Sequence, residues 1–261
     1  MTVLWTPERR TTRLWFDASD AGSLTLNSGY VEQWNDKSGN SGNATATGTA
    51  RPSIATAVVN GLNAVWFASP NMMTVPNVSV TSNMSAFQVV TRAASNVYSV
   101  GLMNNSVNYP FTMLWANSQY VFTAFGTNSG TTVTGLESGT GAQMVTTQRN
   151  SALSKERCWI NGNYRNQGAI SNFYGTEVFD RLGGSGSYKH NGHIAEFVLV
   201  NTALTDSERE QIEGYLAHKW GITLPVGHTY YSDAPTVPED GRPIYQPVMQ
   251  WAHVTVAKIG R

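Results

Sequence analysis

Between residues 63 and 200 the apolar positions come in short runs. "NAVWFA" (63–68), "MSAFQVVTRA" (84–93), "VYSVGLM" (97–103), "QYVFTAF" (119–125), "AQMVTTQR" (142–149), "RCWINGNYR" (157–165) and "HIAEFVLV" (193–200) are rich in β-branched and aromatic residues. Each is bounded by Gly, Asn, Ser or Pro, which reads as a strand between turns. Asn161-Gly162 inside "INGN" is a hairpin signal with strand-like sequence on both sides. Residues 35–53, "NDKSGNSGNATATGTARPS", form a long polar loop of turn formers. No segment repeats at a fixed period. Short strands without alternating helices predict an antiparallel sandwich or barrel, not a doubly wound sheet.

One stretch breaks this pattern. "LTDSEREQIEGYLAHKWGITLP", residues 204–225, predicts a single helix. Thr205 and Glu208 have capping-box spacing, and Asp206, Glu208 and Glu210 place negative charge where the helix dipole favours it. Ile212, Tyr215, Leu216 and Trp220 share one face. His218 and Lys219 stand in the last turn, Gly221 suits a left-handed C-terminal cap, and Pro225 prevents resumption. Gly214 costs about 1 kcal/mol relative to Ala inside a helix, so the backbone there is expected to lie close against something. The helix is expected to act as a lid, folding its apolar face over a sheet edge or an open end of the sandwich.

Composition narrows the picture. The chain has 261 residues, enough for one large β domain. Charged residues are 13% of it, against roughly 25% in an average domain. Lys plus Arg is 17 and Asp plus Glu is 17, so no surplus of positive charge points to nucleic acid or an anionic membrane. A sparsely charged, neutral surface is poorly protected against self-association, which suggests a homo-oligomer or a larger assembly. The single Cys158 permits no internal disulfide and reads as a small buried hydrophobe. The opening "MTVLWTPERRTTRLWF" has no apolar secretory core, and no run is long enough to span a membrane. The expected site of synthesis is therefore a cytoplasm.

Three segments, in this order, resemble one family: "LWFDASDAGSLTLNSGYVEQWNDKSGN", "ERCWINGN" and "GHIAEFVLVNTALTDSEREQIEGYLAHKWGI". They are similar to the laminin-G-like branch of the concanavalin A-like lectin/glucanase superfamily. The resemblance spans residues 14–231 and implies an all-β, two-sheet antiparallel jelly-roll sandwich with one C-terminal helix packed on it. It leaves residues 1–13 as an N-terminal lead and 232–261 as a C-terminal extension. Domains of this kind occur in bacterial surface proteins, as accessory modules of secreted enzymes and in bacteriophage structural proteins, so the resemblance speaks to fold more than to function.

The candidate chemistry is sparse. Glycoside hydrolysis needs two carboxylates facing one sugar. The glucanases of the superfamily carry Glu-x-Asp-x-x-Glu on one strand, and that spacing does not occur here. Glu177 and Asp180 point to opposite faces of a strand, and Glu196 stands alone, read as a structural carboxylate paired with an Arg or a backbone N–H. The chain is thus expected not to be an enzyme, and no catalytic residue is assigned. The five His residues join no Cys or carboxylate cluster, so no metal site is assigned. Calcium is the one ion left open, through Asp17, Asp20, Asp36, Asn35 and Asn40, which also read as ordinary turn formers. No other cofactor is implied. Trp15, Trp34, Trp66 and Trp159 are expected in the core. The aromatic segment 108–122 supplies the candidate glycan contacts Tyr109, Trp115 and Tyr120.

The tails carry apolar residues on polar segments: Leu4 and Trp5 at the start; Tyr245, Met249, Trp251, Val254 and Val256 at the end. They are the candidate assembly contacts, the last run being suited to adding a strand to a neighbour. Arg9, Arg10 and Arg13 form a small basic cluster that fits either a solvated tail or an acidic partner. These features favour a non-catalytic structural component of a bacteriophage virion, a capsid decoration protein or a head or tail appendage subunit, located in the virion with other virion proteins as partners. The alternative is a carbohydrate-binding, lectin-like module whose partners are surface glycans. The two readings are compatible.

Overall fold

A computed structural model describes residues 2–81, 83–94, 99–104, 109–110, 113–115, 120–123, 131–133, 140–169, 176–185 and 188–238. Strand Leu14–Asp17 pairs with Gly192–Val200, which joins the beginning of the sandwich to its end. Gly192–Val200 also pairs with Leu62–Phe67 and with Met84–Val90. From Met84–Val90 the sheet continues through Gln143–Asn150 and Lys155–Ile160 to Asn163–Ala169. A second layer runs from Thr176–Leu182 through Met73–Thr81 and Ala44–Thr45 to Tyr30–Trp34 and Leu24–Asn27. All of these pairings are antiparallel. Strand Ser53–Val59 links the layers, touching Tyr30 on one side and pairing with Leu62–Phe67 on the other.

The core lies between the layers. Leu14, Phe16, Phe67 and Phe197 come from the first layer and Trp34, Val75, Val78 and Phe179 from the second. Phe16 and Trp34 meet with ring centroids 5.3 Å apart. The architecture is a two-layer antiparallel jelly-roll sandwich with one α-helix among the described residues.

The helix does not cover an edge or an open end, as the sequence suggested. It covers a face. Every residue of Met84–Val90 is buried. Met84, Ala86 and Val90 belong to the inter-layer core, whereas Phe87 and Val89 belong to a second cluster on the outer side of the same sheet. An apolar outer face left in water would forfeit its burial free energy. Asp206–Trp220 supplies the cover, burying Ile212, Leu216 and Trp220 in that second cluster.

The helix ends follow from the sequence. Thr205 Oγ1 accepts from Glu208 N at 3.3 Å, and Thr205 N donates to Glu208 Oε2 at 2.9 Å. Gly221 adopts φ 68° at the other end. A Cβ on Gly214 would lie 2.6 Å from Tyr230 Cβ, so the close neighbour implied by that glycine is Tyr230.

The two ends of the described chain meet. Thr2–Leu4 pairs antiparallel with Thr236–Pro238. Trp5, expected at an assembly contact, is buried within its own chain, edge-on to Tyr215 at 6.1 Å. Its apolar surface is therefore spent on the helix rather than on a partner, while Leu4 is 64% exposed. Tyr245, Met249, Trp251, Val254 and Val256 lie outside the described residues.

Candidate functional site

Asp17 and Glu196 are direct cross-strand partners. The register shifts between Ile194 and Glu196, a bulge that lets both Ala195 and Glu196 face the helix. Glu196 is fully buried and accepts four hydrogen bonds. Trp15 Nε1 (2.8 Å) and Tyr215 Oη (3.0 Å) donate to Oε1. Lys219 Nζ and Trp220 Nε1 donate to Oε2, both at 2.7 Å. The expected partner was an Arg or a backbone N–H; the actual ones are a lysine, two indoles and a phenol. Lys219 also donates to Asp17 at 2.7 Å. Lys37 bridges Asp17 (3.2 Å) and Asp20 (2.6 Å).

Burial pushes the Glu196 carboxyl above its ordinary range, with Lys219 opposing the shift. Burial acts the same way on Asp17, but Lys219, Ser19 and Lys37 outweigh it and hold that carboxyl below its ordinary range. Both carboxylates are engaged within the chain. Four donors fill the lone pairs of Glu196, and Lys219 spends its three protons on Asp17, Glu196 and Tyr215 Oη. The cluster bolts the end of the helix to the sheet.

The side chains considered for calcium are likewise engaged. Asp17 and Asp20 hold Lys37. Asp36 accepts from the backbone N–H groups of Trp15, Ser38 and Gly42. Asn35 accepts from Gln33, and Asn40 donates to Thr12 O. Among the described residues, no group of three or more His, Cys, Asp or Glu is placed to hold a metal ion. A cavity of about 390 Å³ between Trp5, Tyr215 and Pro235 has this saturated Asp17–Lys219 pair at its floor.

A different arrangement lies beyond the C-terminal end of the helix. Here, among the described residues, the outer face of the first layer borders an open cleft of about 480 Å³, lined by Asn60, Trp66, Thr91, His193, Thr140 and the Trp220–Gly221 end of the helix, with Arg92 beside them. Trp66 and His193 are cross-strand partners, with ring centroids 4.7 Å apart and planes at 62°. Thr91, directly after the strand Met84–Val90, donates its N–H to His193 O at 2.9 Å. Its hydroxyl lies 2.7 Å from His193 Nδ1 and accepts from His193 N at 3.1 Å. The result is a row, Trp66–His193–Thr91, across two neighbouring strands and the residue that follows a third. The Asn60-Gly61 turn, with φ 48° and 73°, forms one wall. It is fixed to the helix by Asn60 Nδ2, which donates to Lys219 O at 2.9 Å.

Trp66 was expected in the core. Val65 and Phe67 occupy the core, so strand alternation turns Trp66 to the outer face, where it is half-buried. "NAVWFA" carried that signal, and "VNGL" at 59–62 is a second Asn-Gly hairpin of the same kind as "INGN". Trp15, Trp34 and Trp159 are buried as expected of core residues. Of the sequence-derived glycan candidates, Tyr109 pairs with Asn104, and Trp115 stands opposite Tyr120 in a hairpin register. Their side chains lie outside the described part of the molecule, and none of the three is among the cleft residues given above.

No family model matches the chain, and no curated protein matches it. Solved structures do. Domain 4 of AbnA, a GH43 extracellular arabinanase from Geobacillus stearothermophilus, solved in complex with arabinotriose, aligns with TM-score 0.55 and 14% identity over 76% of this chain and 96% of that domain. The binding domain of botulinum neurotoxin serotype D aligns with TM-score 0.57 and 12% identity over 78% of this chain. The binding domain of Paraclostridial Mosquitocidal Protein 1 aligns with TM-score 0.57 and 17% identity over 82% of this chain. The chain spans 51% and 56% of those two toxin structures. At these identities the likeness is one of fold, a β-sandwich.

Proposed function

We propose that this chain is a non-catalytic, carbohydrate-binding, lectin-like module. The observation that carries the reading is the open cleft with a half-buried Trp66 and the polar groups of His193, Thr91 and Asn60 around it. A sugar ring has an apolar C–H face and a rim of hydroxyls. An aromatic surface with hydrogen-bonding groups beside it complements both. The fold adds support, because the AbnA domain, nearly all of which this chain covers, was solved with a trisaccharide. The absence of catalysis is proposed because Asp17 and Glu196, the juxtaposed carboxylates, are buried and committed to lysines and indoles.

The reading as a virion component rested on both tails, together with the lack of a secretory core and a catalytic set and the zero net charge, and most of residues 232–261 lie outside the described part of the chain. The cleft gives the carbohydrate reading a specific site.

Calorimetric titration with a panel of plant and bacterial oligosaccharides is the test. Binding is expected, and Trp66→Ala should weaken it at least about tenfold, or ~1.4 kcal/mol, while leaving the thermal midpoint near that of the wild type. No reducing sugar should be released from any polysaccharide in the panel. Failure to bind any saccharide, or binding indifferent to Trp66→Ala, would remove the basis for the site.

A further inference from the structure

We infer that the cleft takes a neutral glycan, not an acidic one, laid across the strands with a ring on Trp66 and a sugar oxygen on His193. This rests on the carbohydrate reading of the same site and adds the ligand class and the polar contact that selects it.

The first argument is charge. Recognition of a uronate, sialate or sulfate calls for an accessible cation, best a guanidinium fork. Among the described residues lining the cleft, Arg92 and His193 are the basic side chains. Arg92 is 5% exposed and takes part in a contact of its own. His193 is the other, and burial moves its imidazole below the ordinary range, which favours the uncharged form. The cleft thus offers no open positive charge among its described groups.

The second argument is the state of His193. The Thr91 hydroxyl receives the His193 backbone N–H, and its oxygen lies 2.7 Å from Nδ1. That contact occupies Nδ1 and leaves Nε2 as the ring nitrogen available to a ligand. Among the described residues Nε2 has no hydrogen-bond partner. It lies beside Trp66 and suits a sugar hydroxyl, which can donate to it or accept from it. Thr91 is the positioning residue that holds the ring through Nδ1.

The third argument is dimension. Adjacent strands lie about 4.8 Å apart, so the Trp66–His193–Thr91 row spans about 10 Å. That accommodates a short saccharide running perpendicular to the strands.

The experiment titrates the whole chain at pH 7 with neutral probes (arabinotriose, xylotriose, cellotriose) and acidic probes (trigalacturonate, 3′-sialyllactose), at low and high salt. At least one neutral probe should bind, with affinity independent of salt. His193→Ala should weaken it about tenfold. Thr91→Val, which keeps the ring but frees Nδ1, should weaken it several-fold and shift the ¹⁵N NMR signals of the His193 ring. An acidic probe that bound through Trp66 with salt-dependent affinity would overturn the neutral-ligand inference while sparing the carbohydrate reading. Neutral binding unchanged in both His193→Ala and Thr91→Val would overturn the role of His193. Binding of no probe would remove the carbohydrate reading and this inference together.

Discussion

Glu196 shows how far a single residue can be read from sequence. A lone carboxylate in the apolar run "HIAEFVLV" has to be paired, because an unpaired buried charge is too costly. That much is legible. Its partners are not, because they depend on the bulge at Ala195 that turns the side chain toward Lys219, Trp15 and Trp220. Trp66 is the converse case. Its strand was legible, but its face was decided by which neighbours fill the core. Glu196→Gln removes the charge that Lys219 faces and puts an amide where two indoles donate. It should destabilise the chain by about 3–5 kcal/mol, the usual cost of breaking a buried ion pair. Urea denaturation measures it; a loss below ~1 kcal/mol would mean the network is not holding the helix end.

The helix was the most legible element, since its caps and apolar stripe are local. Its docking site was not local. The usable signal was the continuous burial demanded by "MSAFQVV" and "AEFVLV": a strand apolar on both faces needs a cover on each. The helix start also carries a pH dependence. Arg10 and the Thr205 N–H hold the Glu208 carboxyl down at about 2, against an ordinary value of 4.5. The folded state binds this proton less readily than the unfolded state. Its contribution is therefore complete above about pH 4.5 and is lost as the pH falls toward 2. Unfolding curves for wild type and Glu208→Gln should differ at pH 6, converge as the pH drops through that window, and coincide near pH 2. A difference that persists at pH 2 would assign the effect to something other than this carboxylate.

At the scale of the whole molecule, the strand runs and turn signals pointed to the sandwich, and the first and last strands of the pattern, Leu14–Asp17 and Gly192–Val200, do lie side by side. The boundary between the sandwich and the tails was less legible. Thr2–Leu4 and Thr236–Pro238 pair with each other, and Trp5 packs under the helix; these contacts join residues more than 200 positions apart and leave no local mark. The cleft is of the same kind. Among the described residues it opens where the helix stops at Gly221, with Trp66 and His193 brought there on two strands and Thr91 just after the end of a third. The most direct test of this account is a crystal structure of the chain grown with the tightest-binding neutral oligosaccharide from the titrations. A sugar ring over Trp66, with one of its oxygens within hydrogen-bonding reach of His193 Nε2, is the predicted result. A sugar seated instead on Tyr109, Trp115 and Tyr120, with the cleft empty, would contradict it.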